Sequence, residues 1–323
     1  MIDYPAPKLI ISKCLGFAHC YYSGQRFDIK FLKKLEDFVE YYPLCPEVEI
    51  GLPVPRQTLR LVEEGKEIRL RQPATGADLT DKLKDMALEF FEKNKEIDGF
   101  ICKEGSPSCG CKSVKLYPAL KDVAPHKKTE GIFARAVFDY YGKIPAENDG
   151  RLNNLQLRED FLTAIFTMAR FRKVEKSFKI KDLIDFHTRH KYQLMALSPK
   201  NLKVMGRLTA NNQELKPEEL IKEYKKLLKD TLNRTSKPGL QQNVLNHCFG
   251  YVSDKLKKEE IEFFIKTVEK YRKGMVPLSV PLYLLNGWII EQQVDYLSDQ
   301  TYFKPFPEEL IDQTDSGRKH KLD

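Results

Sequence analysis

Short apolar runs alternate with amphipathic stretches over the first half of the chain. The run Lys8–Ser12 predicts a β-strand, and the apolar spacing within Phe27–Tyr41 predicts a helix. Asp78–Asn94 and Gly131–Tyr141 predict two more helices, with a strand at Gly99–Cys102 between them. Alternating strands and helices are typical of an α/β domain with a parallel sheet flanked by helices.

The pattern changes after a polar, turn-rich segment at residues 145–154, which we predict to be a linker. Long helical periodicities follow it, so we expect the second domain to be all-α. The predicted helices are Leu157–Arg172, Lys181–Ser198, Pro217–Leu232, Gln241–Leu256 and Lys258–Arg272. We therefore predict an α/β domain over residues 1–147 and a helical domain over residues 156–323.

The composition is that of a folded protein. The 323 residues are enough for two domains, and 41% hydrophobic with 31% charged residues exclude a disordered or fibrous chain. The most apolar stretch, Val276–Ile290, contains two prolines and is shorter than a membrane-spanning helix. The amino terminus lacks the blocks of a signal peptide. We expect a cytoplasmic protein, without a membrane segment, in which disulfides do not form.

Cysteines are the most informative residues. Six of the seven lie within the first 111 residues, which in a cytosolic protein indicates metal or redox chemistry. Cys14, Cys45 and Cys109 fall in separate loops, and soft thiolates from separate loops suit an iron-sulfur cluster. Structural zinc is the main rival, although Cys109 and Cys111 are spaced C-x-C and not in the paired C-x2-C pattern of zinc sites. Scattered free thiols remain an alternative.

The other four cysteines have separate interpretations. Cys102 ends an apolar strand and Cys248 lies within an apolar helical segment, so both are expected to be buried thiols. Cys20 and Cys111 lie close in sequence to proposed ligands. Each is therefore an alternative ligand or a thiol that lines the site.

Three segments resemble the signature blocks of the thiouracil desulfidase family. They are Ser12–Gly16 (SKCLG), Cys45–Arg56 (CPEVEIGLPVPR) and Ser106–Gly110 (SPSCG), and the resemblance covers roughly residues 8 to 145. It implies a [4Fe-4S] cluster that is held by only three cysteines, Cys14, Cys45 and Cys109. The fourth iron would then carry no protein ligand.

The resemblance also implies a reaction. The sulfur of a thiolated uracil would be taken up by the open iron and released as sulfide, while water attacks the polarised carbon without any net redox change. Glu47 and Ser106 are the implied catalytic pair for the proton transfers. A solvated carboxylate and a turn serine are their alternative interpretations. Ser12, Arg56 and Ser108 are expected to bind the substrate.

One position departs from the family pattern. Many members carry an arginine after the residue that corresponds to Cys20, and this chain has Tyr21 and Tyr22 there. Contacts from that loop to a substrate phosphate are therefore in doubt. Arg26, Arg56 and Arg60 are candidates to replace them.

The second half resembles the YbgA-like helical domain. The matching segments are Phe186–Tyr192, Ser198–Pro199, Gly206–Leu208, Asn243–His247, Tyr271–Leu278, Tyr296–Tyr302 and Pro305–Pro307. Fusion of this module to a desulfidase domain is similar to the arrangement in tRNA 4-thiouridine desulfidases, where the helical part is thought to hold the RNA. The resemblance implies tRNA as the partner.

A basic run in the helical domain is compatible with RNA. It consists of Arg170, Arg172, Lys173, Lys176, Lys179 and Lys181, followed by His187, Arg189, His190 and Lys191. Such residues neutralise phosphates, although a solvated helix face has the same composition. We expect Arg189 and Lys191 to bind substrate. The i, i+3 pair of histidines lacks completing metal ligands, so we assign it an RNA-binding or structural role. The net charge of +8 is compatible with RNA but not specific for it.

The sequence thus predicts an iron-sulfur enzyme that converts 4-thiouridine in tRNA to uridine. One alternative is desulfuration of free thiouracil or thiouridine nucleotides. Another is a cluster-bearing RNA-binding or redox-sensing protein without catalysis, which would need neither Glu47 nor Ser106.

Overall fold

The structure is a computed structural model that describes residues 2–121, 123–210 and 215–311. The chain forms two compact units, which consist mainly of Pro5–Ala169 and Arg170–Glu308. The division falls inside a long helix, α5, that spans Leu155–Ser177. The limits predicted from the sequence, at residue 147 for the α/β domain and residue 156 for the helical domain, stay a prediction.

Four parallel strands form the main sheet of the first unit. They are β1 (Lys8–Ser12), β2 (Glu40–Leu44), β5 (Gly99–Cys102) and β8 (Ala146–Asn148), in the order β2-β1-β5-β8. The side chains of Leu9, Ile10 and Ile11 are fully buried, as expected for a strand covered on both faces. The predicted α/β fold with a parallel sheet is confirmed.

The predicted linker at residues 145–154 was wrong. The segment contains β8, which pairs with β5, and the side chains of Glu147, Asn148 and Asp149 are buried. Its polar residues are buried because they are paired: Arg151 donates to Glu147 at 2.7 Å, and Lys103 donates to Asp149 at 2.6 Å. Polarity in this segment therefore reflects buried pairing and not solvent exposure.

A second, mixed sheet was not predicted. It consists of β3 (Arg60–Glu64), β4 (Glu67–Arg71), β6 (Val114–Tyr117) and β7 (Lys127–Thr129), in the order β4-β3-β6-β7. Charged residues are frequent in these strands, and several lie on a solvent-accessible face, which weakens the apolar signal.

Helices α1 (Lys30–Leu35), α2 (Pro46–Glu49), α3 (Thr80–Lys93) and α4 (Ile132–Tyr141) lie within the first unit, which also contains most of α5. The helix predicted over residues 27–41 is shorter than expected, because β2 begins at Glu40. Helices α3 and α4 pack together through aromatic side chains. The ring centroid of Phe133 lies 5.7 Å from that of Phe91 and 5.8 Å from that of Phe100 on β5.

The remaining described part of the chain contains helices and no strands, which confirms the all-α prediction. The α-helices are α6 (Ile180–Arg189), α7 (Lys191–Leu197), α8 (Pro199–Ala210), α9 (Pro217–Leu232), α10 (Pro238–Phe249), α11 (Lys258–Arg272), α12 (Ser279–Glu291) and α13 (Asp295–Ser298). Its core includes Phe249 stacked on Phe264, with centroids 4.2 Å apart. In the described ranges, no helix has the length and apolar character needed to cross a bilayer.

His190 is buried where α6 gives way to α7, and the helix predicted over 181–198 is divided there. Its Nδ1 donates to the Phe186 carbonyl at 2.7 Å, and its ring stacks on the Phe186 ring. Burial, reinforced by the charge of Arg170, lowers the pKa of His190 to about 3. The imidazole is therefore neutral in the folded protein.

The helical unit should lose stability as the pH falls from 6.5 towards about 3. In that range the unfolded chain binds a proton that the folded chain excludes, so this group alone costs about 1.4 kcal/mol per pH unit. Urea unfolding at several pH values measures the dependence. We expect His190→Leu to reduce the slope. A wild-type slope in His190→Leu would contradict this assignment.

Candidate functional site

The three predicted cluster ligands meet where neighbouring parallel strands end. Strand β1 lies between β2 and β5, with Ser12 paired to Leu44, so the carboxyl ends of all three strands share one edge. Cys14 follows β1, Cys45 follows β2 directly, and Cys109 lies in the loop after β5. All three line a single pocket of about 390 Å³.

The pocket also contains most of the other predicted site residues. Those that line it are Ser12, Cys14, Cys45, Glu47, Arg56, Ser106, Ser108 and Cys109. Arg189 and Lys191 do not line it. They lie in the helical unit, where Arg189 pairs with Asp185 at 3.0 Å and the Lys191 ammonium lies 5.4 Å from the centroid of the Tyr192 ring. The predicted roles of all these residues stay predictions.

A fourth thiol, that of Cys20, belongs to the same group. The hydrogen bond with the Cys14 thiol is the largest of the effects that together raise the pKa of Cys20 to about 11. Burial raises the pKa of Cys109 to about 12. Cys20 is thus a thiol that lines the site, and its role as an alternative ligand stays open. Each thiol that binds iron would release its proton and bind as a thiolate.

The thiols fit a cluster better than a single ion. In the part of the chain that the structure describes, no three His, Cys, Asp or Glu side chains converge on a site for one metal ion. A cluster places a different demand on its ligands, because each thiolate binds its own iron and the sulfurs surround the group. Buried thiols around one cavity meet that demand, and soft sulfur ligands select iron-sulfur centres.

Cys102 and Cys111 are paired with each other and do not line the pocket. They form a disulfide with Cα atoms 5.8 Å apart, so the expectation that no disulfide forms was wrong. The pairing arises because the loop after β5 turns back, and the Cys111 amide donates to the Asn148 side chain of β8 at 3.3 Å. Cys248 is the buried core thiol that the sequence predicts.

Glu47 is held from two sides. It stands in the first turn of α2, directly after Pro46, and is only 7% exposed. Arg56 Nε donates to its Oε2 at 2.7 Å, and Ser108 Oγ donates to its Oε1 at 2.5 Å. Arg56 also donates to the Cys20 carbonyl at 3.0 Å. The guanidinium is therefore committed to the wall of the pocket, which argues against a phosphate contact from Arg56.

Ser12 joins the end of β1 to the loop after β5. Its Oγ accepts the Lys103 amide at 2.9 Å, and its side chain hydrogen-bonds the Cys109 thiol. Ser12 is only 2% exposed. These contacts make it a support for the Cys109 loop, and its predicted role in binding substrate stays a prediction.

The amino terminus of α4 fixes the loop that carries Ser108, a connection that the sequence motifs do not reveal. The amides of Phe133 and Ala134 donate to the Ser108 carbonyl at 3.0 and 3.2 Å, and the Ile132 amide donates to the Pro107 carbonyl at 3.1 Å. This close approach requires glycine at 131, because a Cβ there would lie 2.3 Å from the Ser108 carbonyl oxygen. A glycine ahead of a predicted helix was the only signal in the sequence.

Replacing Gly131 with alanine should therefore displace the Ser108 loop. The clash is with backbone atoms, so we expect a loss of roughly 1–3 kcal/mol in the free energy of unfolding. We also expect turnover to fall at least about tenfold, because small displacements of a site are costly. Gly239→Ala is the matched control, since a Cβ at Gly239 meets nothing within 4 Å. Wild-type stability and turnover in Gly131→Ala would contradict this role for α4.

Both parts of the chain have relatives among known proteins. Residues 9–149 match the 2-thiouracil desulfurase family. The first unit carries a thiouracil desulfidase domain. A solved [4Fe-4S]-dependent thiouracil desulfidase, TudS, is 27% identical to this chain, with a TM-score of 0.35. The match covers 45% of this chain and 93% of TudS.

The helical part has its own relatives. Residues 191–307 match a family of unknown function, DUF1722. The uncharacterised protein YbgA of Escherichia coli K12 is 26% identical over 157 residues, which cover 48% of this chain and 93% of YbgA. The chain thus joins a desulfidase domain to a YbgA-like domain.

The pocket of the desulfidase domain is basic. Its lining contains five Lys or Arg residues (Lys13, Arg56, Arg60, Lys103 and Lys115) against one carboxylate, that of Glu47. Arg60 lies 4.6 Å from the centroid of the Tyr117 ring, whereas Arg26 pairs with Asp28 and does not line the pocket. Arg60 is therefore the remaining candidate among the three arginines for a phosphate contact.

Proposed function

We propose that this protein converts 4-thiouridine in tRNA to uridine with a [4Fe-4S] cluster held by Cys14, Cys45 and Cys109. The observation that carries the proposal is the single pocket in which these thiols meet Glu47 and Ser106. Membership of residues 9–149 in the desulfurase family supports the removal of sulfur from a thiolated uracil.

The cluster, when bound, supplies an iron without a protein thiolate, a soft Lewis acid suited to thiocarbonyl sulfur. The chain supplies the proton chemistry. Water must lose both of its protons as its oxygen replaces sulfur on the base, and the departing sulfur must gain them to leave as hydrogen sulfide. Glu47 is the proposed base, kept in place by Arg56, and Ser106 is the proposed hydroxyl at the pocket surface.

Two features of the pocket favour a nucleotide within RNA over a free base. Three of the five lining cations pair with Glu47, Asp149 and Glu49. Arg60 and Lys115 are the cations proposed to attract a polyanion, an attraction that an uncharged thiouracil lacks. Tyr21 and Tyr22, with ring centroids 4.6 Å apart, also line the pocket and offer aromatic faces to an unpaired base. A tRNA substrate would in turn place the protein in the cytoplasm.

The helical domain is the proposed RNA holder. One residue of the predicted basic run is unsuited to phosphate, since Arg170 is buried and donates to the carbonyls of Asp3 and Pro305. His190 is buried as well. Arg189 and Lys191 are partly exposed at the α6–α7 junction, so they remain the proposed phosphate contacts.

A substrate comparison tests the proposal. The full chain, loaded with its cluster without oxygen, is incubated with thiolated tRNA, 4-thiouridine nucleotide and free 4-thiouracil, and sulfide release is measured. We expect the highest kcat/KM with tRNA. Preference for the free base would support a thiobase desulfidase, and no release from any substrate would support a non-catalytic protein.

Lys191→Gln should weaken tRNA binding without changing turnover of the free base. We expect a severalfold rise in KM for tRNA and a decrease of about 1 in the salt dependence, as for one lost phosphate contact. Lys84→Gln, at an exposed position on α3, is the charge-matched control. Equal effects of the two substitutions would refute the role of Lys191.

A further inference from the structure

Ser108 stands between the two residues that the family pattern pairs for catalysis. Its Oγ donates to Glu47 Oε1 at 2.5 Å and lies 3.1 Å from Ser106 Oγ. Among the described residues, Glu47 and Ser106 share no direct hydrogen bond. Any proton exchanged between them must therefore pass through Ser108 or through water.

The direction of the hydrogen bonds is determined by counting protons. A hydroxyl has one hydrogen, and that of Ser108 is donated to Glu47, so the contact with Ser106 requires Ser106 to donate to Ser108. Ser106 Oγ also accepts the Cys109 amide at 3.1 Å. One lone pair of Ser106 is left to accept a hydrogen bond from a molecule in the pocket.

Ser106 is the most exposed of the three side chains. It is partly exposed, whereas Ser108 is only 1% exposed and Glu47 is 7% exposed, although all three line the pocket. Ser106 is thus the member most accessible to a water or substrate.

Both ends of this connection are fixed. Arg56 holds the second carboxylate oxygen of Glu47 at 2.7 Å, and the amides of Phe133 and Ala134 hold the Ser108 carbonyl. A set of groups held in this way needs little rearrangement when a proton moves.

We propose that Ser108 is a positioning residue that relays a proton between Ser106 and Glu47, an inference that rests on the proposed desulfuration. Water gives a proton to Ser106 Oγ, Ser106 gives its own to Ser108, and Ser108 gives its own to Glu47. The water oxygen bonds the base carbon and the C–S bond breaks. The proton then returns along the same hydroxyls to the departing sulfur, and the second hydrogen of the attacking water follows the same path, so that the base carbon keeps only the oxygen. A thiocarbonyl and water thus yield a carbonyl and hydrogen sulfide, with no oxidant or reductant.

Kinetics of serine variants test the relay. In Ser108→Ala we expect kcat to fall about 100-fold, with KM and iron content unchanged, and Ser108→Thr to restore most of kcat. Ser106→Ala combined with Ser108→Ala should be little worse than either alone, because both interrupt one path. Near wild-type kcat in Ser108→Ala would overturn the relay, as would fully additive losses.

A second measurement does not need the cluster. The short Ser108–Glu47 hydrogen bond should give a downfield proton resonance in the NMR spectrum of the cluster-free full chain. Ser108→Ala should remove it, and Ser108→Thr should retain it. A resonance that survives Ser108→Ala, or none in the wild type, would overturn the assignment. If the wild type desulfurates no thiolated substrate, the proposed function itself fails, whereas an active Ser108→Ala refutes only the relay.

Discussion

Replacing Cys14, Cys45 or Cys109 with alanine is expected to abolish both the cluster and turnover. Each thiol supplies the bond to one iron, and loss of one of only three such bonds leaves the cluster without a stable attachment. Iron and acid-labile sulfide assays on anaerobically reconstituted protein, together with sulfide release from thiolated tRNA, measure the two losses. This is the largest effect that we predict.

Substitutions at two other cysteines serve as a control and as a test of the alternative ligand. Cys248→Ala removes a buried thiol in the helical domain and should leave iron content and turnover unchanged. Cys20→Ala tests the alternative ligand, because Cys20 lines the same pocket. Full iron content in Cys20→Ala supports the ligand set of Cys14, Cys45 and Cys109. Loss of iron in Cys20→Ala, combined with retention in Cys14→Ala, Cys45→Ala or Cys109→Ala, would show that the set is wrong.

Glu47→Gln is expected to reduce turnover by roughly 10²- to 10⁴-fold while the cluster remains intact, as for the loss of a general base. The amide keeps the shape of the side chain but cannot take up the proton from Ser108, and it removes the anion that faces Arg56. Single-turnover assays with thiolated tRNA, normalised to iron content, measure the effect.

Glu49→Gln is the control on the same helix. Glu49 forms a partly exposed pair with Lys13 at 3.9 Å, the kind of pair that contributes little to stability. It should behave as wild type. Unchanged turnover in Glu47→Gln would instead favour a cluster-bearing protein that does not use this carboxylate.

Apolar runs predicted two strands of the main sheet, β1 and β5, because these strands are buried on both faces. Strand β1 and strand β5 were found at their observed bounds, since each is a short apolar run between polar segments. Strand β2 was missed because Glu40 and Tyr41 continue the helical spacing that precedes them. The second sheet was missed because β3 and β4 are only five residues long and each contains three charged residues.

The site was predictable in its residues but not in its connections. The motifs bring Cys14, Cys45, Cys109, Glu47 and Ser106 to one place because they follow adjacent parallel strands. The bond between Ser108 and Glu47 joins residues 61 positions apart, and its geometry depends on the α4 terminus. Arg170 and His190 appeared to be RNA contacts because charge alone does not reveal which side of a helix is buried.

Anaerobic incubation of the cluster-loaded full chain with thiolated tRNA, with no electron donor or acceptor added, tests the central claim most directly. The account predicts that the near-ultraviolet absorbance of 4-thiouridine disappears and that one sulfide is released for each uridine formed. Persistence of 4-thiouridine, or conversion only after a reductant is supplied, would contradict non-redox desulfuration at this site.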